Sequence, residues 1–256
     1  MIPVALSIAG SDPSGGAGLQ ADLKVFHQFK VYGMSVITLL TIQNTLGIKE
    51  VLVIDADKVL AQLDTLLEDI TPQAIKTGAL GNAKIISGLM ERAKNFTGPL
   101  IIDPVIVSKN KTPLIDTAGC DTLKSFLRYA TLVTPNIPEA EFLSGITIED
   151  YSSMEKAAHK IAEFGPKAVL IKGGHLKDAA VDLFLENQSI QWLKTKKIQT
   201  DHTHGTGCTF SAAITATLAK GYSLKKAVHT AKKFITKAIA TSPRLGHGCG
   251  PLNYHA

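Results

Sequence analysis

Short apolar runs alternate with amphipathic stretches along nearly the whole chain. Residues 3–9 form the first run, closed by Gly10, and predict a buried strand. Turn formers crowd the next positions as far as Gly18. Leu19, Leu23 and Phe26 then fall at i, i+4 and i+7, marking a helix to about Tyr32. Runs 34–42 and 48–54, the first rich in β-branched residues, predict two further strands. Val59, Leu63, Leu66, Leu67 and Ile70 share one face of a helix over 57–70. A brief strand at 74–77 breaks at Gly78, and Ile85, Ile86, Leu89, Met90 and Ala93 mark the next helix. Strand 100–102 ends on Asp103-Pro104, and the polar stretch 107–114 reads as an exposed, mobile loop.

The second half repeats the pattern. Asp116 caps a helix carrying Leu123, Phe126 and Leu127, and a strand at 132–134 leads into Pro135-Asn136. Ser152 and Glu155 have capping-box spacing ahead of Ala158, Ile161 and Ala162, with Gly165 at the helix end. A strand follows at 168–172, and two more, 181–185 and 190–193, make a hairpin around Asn187. A helix over 206–220 stops at Gly221. Ser223 caps the last helix, striped by Ala227, Ala231, Phe234 and Ala238. This alternation predicts an α/β fold, a largely parallel sheet covered by helices on both faces. No linker or repeat interrupts it, so residues 1–256 read as one domain. In such sheets ligands bind beyond the carboxyl ends of the strands. Gly10-Ser11-Asp12, Gln43, Asp103, Asn136, Lys172 and the loop before Cys208 all collect there.

Composition narrows the picture. Hydrophobic residues make up 45% of the 256 and charged ones 19%, the balance of a packed protein. The net charge of +5 suits an anionic ligand, but no aromatic residues interleave the lysine clusters, which argues against nucleic acid. Three cysteines without metal spacing favour a reducing compartment over a disulfide framework. Neither a leader nor a membrane-length apolar stretch is evident, so a cytoplasmic protein is expected.

The candidate chemistry centres on His202-Thr203-His204-Gly205-Thr206-Gly207-Cys208-Thr209, where a loop meets a helix. Glycines flank Thr206, and the helix start offers unpaired N–H groups and a positive dipole end, an anion site. The same field is expected to lower the Cys208 thiol pKa. Lys172 with this loop can neutralise the oxygens of a transferring phosphoryl group. Asp103 and Glu139, with Asn136, are the candidate residues for Mg²⁺ held through water. Each also has a plainer reading, Asp103 as a turn former and Glu139 as a first-turn helix acid. Gln43 offers a donor and an acceptor in one plane, matching an aminopyrimidine edge or capping a strand end. Loop polarity accounts for His175, His202 and His204, none of which has zinc-site spacing.

Five ordered motifs carry a family resemblance. Gly10-Ser11-Asp12-Pro13-Ser14-Gly15-Gly16-Ala17-Gly18-Leu19-Gln20-Ala21-Asp22 resembles the N-terminal motif of the hydroxymethylpyrimidine/phosphomethylpyrimidine kinases of thiamine synthesis, members of the ribokinase-like superfamily. Gln43-Asn44-Thr45, Thr134 through Ala140, Lys172-Gly173-Gly174-His175 and His204 through Thr209 match in the same order. The resemblance implies a three-layer α/β/α sandwich and ATP- and Mg²⁺-dependent phosphorylation of the pyrimidine alcohol, then of its monophosphate. It places the pyrimidine against Ala17, Asp22 and Gln43, with Gly10 and Ala79 in the same pocket. It puts the anion hole at Gly205, Thr206, Gly207 and Cys208, and implies a homodimer. Much of the superfamily carries an aspartate base where Cys208 stands. Two departures bear on the substrate. Ala79 stands where relatives often have methionine, and Asn110-Lys111 replaces a small, glycine-containing stretch of the flap. A roomier pocket keeps pyridoxal or pyridoxine kinase activity open as an alternative, and a catalytically weak pyrimidine-binding protein is another.

Overall fold

The computed structural model describes residues 2–108, 112–173 and 180–256. Lys109, Asn110 and Lys111 of the expected flap, and Gly174 and His175 of the fourth motif, lie outside the described residues.

The chain opens with β1 (Val4–Ser11), α1 (Gly18–Gln28), β2 (Tyr32–Asn44) and β3 (Gly47–Val53). It continues through α2 (Ala56–Asp69), β4 (Ala74–Thr77), α3 (Ala83–Ala93) and β5 (Leu100–Ile102). Then come α4 (Thr117–Phe126), β6 (Leu132–Val133), α5 (Ile137–Ser144), α6 (Tyr151–Ala162) and β7 (Ala168–Ile171). The hairpin of β8 (Ala180–Glu186) and β9 (Ser189–Thr195) precedes α7 (Thr206–Ala219) and α8 (Leu224–Ala240).

The nine strands among the described residues form one sheet in the order β3-β2-β1-β4-β5-β6-β7-β8-β9. The stretch from β2 to β7 is parallel; β3 pairs antiparallel at one edge, and at the other β8 pairs antiparallel with both β7 and β9. Helices α1, α7 and α8 cover one face over a core that includes Phe26, Phe184 and Phe210. Helices α2 to α6 cover the other, over Leu6, Val36, Leu123 and Ile171. The expected three-layer arrangement is therefore present. The strand order reverses between β1 and β4, which opens a crevice at their carboxyl ends.

Three local expectations need correction. Helix α1 stops at Gln28, because Lys30 turns the chain through the left-handed region (φ 60°) and Tyr32 already pairs in β2. Helix α6 is capped by Asp150 with Ser153, not by Ser152 with Glu155. The chain enters α6 two residues earlier than the apolar spacing suggests, and the same box logic applies there. The loop around 107–114 is tied at its base, where Val107 bridges Pro113 and Ser108 N donates to Thr112 O at 2.8 Å.

Helix α7 goes beyond the expected stripe, since every residue from Thr209 to Ala219 is buried. It is clasped between the sheet and both α1 and α8. Its hydroxyls survive burial by bonding backward along the helix, as Thr215 Oγ1 does to Ser211 O and Thr217 Oγ1 to Ala213 O, both at 2.8 Å. Among the described residues no helix is long and apolar enough to cross a membrane.

Candidate active site

Strands β1, β4, β5 and β7 run into Asp12, Gly78, Asp103 and Lys172, and α7 begins over this layer. Gly205, just before the helix, has φ +77°, and a Cβ there would collide with the carbonyl oxygen of Gly16. The anion loop is thus pressed onto the glycine loop, with the Cα of Ala17 beside it. Thr206 folds its hydroxyl back to Thr203 O at 2.7 Å, leaving the helix-start amides as the anion donors. Gly207 serves close approach, since a Cβ there would stand 3.0 Å from Lys172 Nζ and 3.7 Å from Asp103 Oδ2. The helix start, the ammonium and the carboxylate therefore share one cradle.

Asp103 is buried and heavily bonded. Lys172 Nζ donates to Oδ1 at 2.8 Å, Thr134 Oγ1 to the same oxygen at 3.0 Å, and Ser211 Oγ to Oδ2 at 3.2 Å. Burial alone would raise its pKa, but the Lys172 and Lys76 charges hold it below the ordinary value. Burial works against the Lys172 ammonium too, and Asp103 and Glu139 more than restore it. Asn136 and Glu139 form a reciprocal capping box on α5: Glu139 N donates to Asn136 Oδ1 at 2.9 Å and Asn136 N to Glu139 Oε2 at 2.8 Å. The plainer reading of Glu139 as a helix acid thus holds, yet it sits close enough to feel Lys172 and Asp103. Burial pushes its carboxyl up to about 7, with Lys172 pulling down and Asp103 adding to the rise. Among the described residues no three His, Cys, Asp or Glu side chains gather as direct metal ligands. With both Asp103 oxygens and one Glu139 oxygen engaged, this donor set suits Mg²⁺ held through water.

Cys208 departs from expectation. Burial pushes its thiol up to about 11, against the pull of the Lys76 ammonium; Asp22 and Asp103 add to the rise, and the Gly18 amide opposes it. The helix-start field does not yield a standing thiolate in this site. Lys76 and Asp22 lie fully buried and paired at 2.7 Å, and Ser7 Oγ reaches the same Asp22 oxygen at 2.5 Å. Asp22 is fully buried, and its Oδ1 has no hydrogen-bond partner. It is a second layer whose charge acts on Cys208. Gly10 is likewise buried, and its bare Cα faces Leu39, whose Cδ1 would lie 2.5 Å from a Cβ. Ala79 is partly exposed beside Gly78, its carbonyl taking a hydrogen bond from Thr38 Oγ1 at 2.6 Å.

Several residues escaped the sequence reading. Asp12 Oδ1 accepts from Ser14 N and Oγ at 2.8 and 2.7 Å, and Oδ2 from Ala17 N at 2.9 Å and His204 Nε2 at 2.8 Å. Burial opposes its charge, but the His204 and Ser14 bonds carry its pKa down to about 2. Tyr254, far along the chain, donates to Gly16 O at 2.6 Å. Lys76 did leave a signal: a lone lysine in a short apolar strand must find a buried partner. Contacts to Asp12 from residue 204 and to Gly16 from residue 254 leave none.

The model of the family described as phosphomethylpyrimidine kinase matches residues 12–253. The chain belongs to that family. A hydroxymethylpyrimidine/phosphomethylpyrimidine kinase of Staphylococcus aureus is 44% identical over 258 residues, covering 99% of this chain and 94% of its own. One from Synechococcus elongatus is 45% identical over 256 residues, with 99% and 97% covered. Solved structures agree on the fold. A phosphomethylpyrimidine kinase from Clostridium difficile superposes with a TM-score of 0.82 at 40% identity, covering 93% of this chain and 99% of that one. Pyridoxal kinase of Bacillus subtilis, as an ADP complex, reaches 0.91 at 40% identity, covering 100% and 98%. Pyridoxal kinase of Staphylococcus aureus with AMP-PCP reaches 0.92 at 37% identity, covering 100% and 94%. This phosphomethylpyrimidine kinase family member is therefore a ribokinase-like kinase.

Proposed function

We propose that the protein transfers the γ-phosphoryl group of ATP to the hydroxyl of 4-amino-5-hydroxymethyl-2-methylpyrimidine, and then a second one to the resulting monophosphate, in thiamine diphosphate synthesis. The observation that carries this reading is the shared cradle of Gly207, Lys172 and Asp103, with the glycine loop pressed against Gly205. Lys172 and the amides of Gly205 to Cys208 gather the transferring oxygens, where positioning and charge stabilisation supply most of the rate. Asp103 and Glu139 would hold Mg²⁺ through water, where it would supply positive charge against the phosphates. Cys208 takes the proton as the substrate oxygen bonds to the γ-phosphorus and the bond to ADP breaks. Only the thiolate form of Cys208 can take that proton; in a loose transition state the proton leaves late, and the small fraction ionised near neutral pH carries the step. The phosphate acceptor of the second step is already ionised and needs no base. Gln43, Ala17 and Ala79 frame the ring.

The pyridoxal kinases among the structural neighbours favour a second reading, phosphorylation of pyridoxal or pyridoxine. The two are separated by ATP-dependent turnover of hydroxymethylpyrimidine, its phosphate and pyridoxal side by side. Greater kcat/KM on both pyrimidines supports the first reading; greater kcat/KM on pyridoxal overturns it. Binding of the pyrimidine without turnover of any alcohol makes the protein a binding protein.

The expected homodimer has support in the β2–β3 hairpin. Leu40, Ile42 and Leu52 are 39%, 56% and 56% exposed, and Leu46 at its turn 66%. Edge strands with apolar side chains invite a second copy. A cytosolic setting fits an ATP-dependent reaction and reduced thiols.

A further inference from the structure

His204 lies between the glycine loop and the end of β2. Its Nε2 is 2.8 Å from Asp12 Oδ2 and 3.4 Å from Gln43 Nε2. Asp12 settles which proton the imidazole carries. All the other groups that meet this carboxylate are donors: Ser14 through N and Oγ, and Gly16 and Ala17 through their backbone N–H. An ionised carboxylate is acceptor-only, so Nε2 of His204 holds a hydrogen and gives it to Oδ2 in either charge state of the ring.

That assignment constrains Gln43. The amide NH₂ and the imidazole N–H stand donor to donor at 3.4 Å, which is no bond. Turning the amide half a rotation removes the donor–donor clash: Oε1 becomes the weaker acceptor of a three-centre bond whose main acceptor is Asp12 Oδ2, and the NH₂ aims away from the imidazole. Oε1 has two lone pairs, so it can accept from His204 and still accept from a ligand. Gln43 then presents a donor and an acceptor side by side in one fixed sense. A ring nitrogen beside an exocyclic amino group is the complementary edge.

The imidazole is itself held firmly. A Cβ on Gly16 would collide with its Cδ2, so the ring packs directly against the glycine loop. His204 N donates to Gly250 O at 3.1 Å, and His204 pairs with Pro251 in an isolated bridge. On the other side, the register of β2 against β3 shifts between Ile42 and Gln43, which re-aims Gln43 at the strand end.

We propose that His204 is a specificity-determining positioning residue: with its Nε2–H committed to Asp12, it sets the sense of the Gln43 amide and so selects alcohols bearing an amino group next to a ring nitrogen. This rests on the reading of Gln43 as the residue facing the pyrimidine edge. His204 transfers no proton to the substrate; it acts through Gln43.

The test compares two probes, 4-amino-5-hydroxymethyl-2-methylpyrimidine and the same alcohol lacking the 4-amino group. Calorimetric Kd and kcat/KM are measured for wild type, His204→Leu, His204→Gln, Gln43→Leu and the His204→Leu/Gln43→Leu double variant. Preference for the amino compound should fall roughly tenfold in His204→Leu, through KM more than kcat, the scale of one oriented hydrogen bond. His204→Gln keeps a donor near the Nε2 position and should restore most of the preference, which also answers loss of folding in the leucine variant. The double variant should show no more loss of preference than Gln43→Leu alone. Equal loss on both probes in His204→Leu makes the residue a mere loop support and overturns the proposal. If Gln43→Leu shifts the preference but His204→Leu does not, the proposal fails while the reading of Gln43 stands. If Gln43→Leu leaves the preference intact, the reading of Gln43 fails and takes the proposal with it.

Discussion

Cys208 shows how far a residue's chemistry depends on its neighbours. A cysteine at a helix start with flanking glycines suggests a thiolate, and the folded site gives a thiol near 11 because burial dominates. Between pH 7 and 9 the thiolate fraction therefore rises about tenfold per unit, and phosphorylation of the alcohol should climb with it. Phosphorylation of the monophosphate should stay nearly flat. Single-turnover kinetics on the two acceptors check this, and Cys208→Ala should slow the first transfer far more than the second. Equal losses would remove Cys208 as the base. Beneath it, the Lys76–Asp22 pair has no solvent to fall back on. Lys76→Ala leaves a buried carboxylate without its cation and should cost about 3–5 kcal/mol in denaturant unfolding.

At the scale of elements, α5 serves two ends. Its capping box makes Glu139 a structural acceptor for Asn136 N, while burial, with Asp103 adding to it, keeps the carboxyl near 7. A carboxyl whose folded pKa lies above its ordinary 4.5 favours the folded state below 4.5, and that contribution is lost as pH rises through 7. Glu139→Gln keeps an acceptor for the cap and removes the buried charge. Thermal unfolding should show it more stable than wild type by about 3 kcal/mol above pH 7, with the difference vanishing below pH 4.5. Turnover should fall, and the Mg²⁺ concentration for half-maximal rate should rise by roughly tenfold or more. Element α7 combines roles similarly. Its first turn faces the anion site, and its buried remainder fixes that turn against both α1 and the sheet.

Among the described residues, the β2–β3 edge of the sheet exposes Leu40, Ile42, Leu46 and Leu52 together. Ile42→Asp with Leu52→Asp should convert a dimer to a monomer in sedimentation experiments without altering the fold by circular dichroism. A wild-type protein that already sediments as a monomer overturns the dimer. Gln43 lies next to the last residue of β2 in the same hairpin, so association there would steady the strand end that carries it.

Hydrophobic spacing by itself determined the layers, because short apolar runs and period-3.6 stripes together call for a buried sheet between helices. Asn136, Lys172, Asp103 and the loop before Cys208 were legible too, since strand ends in such sheets converge on one crevice. The fully buried setting of Asp22, the raised thiol of Cys208 and the link of His204 to Asp12 were not. Each depends on which groups meet across 15 to 192 positions of chain, and on water being excluded where they meet. Local pattern carries the backbone's periodicity; charge, protonation and hydrogen-bond sense belong to the assembled interior.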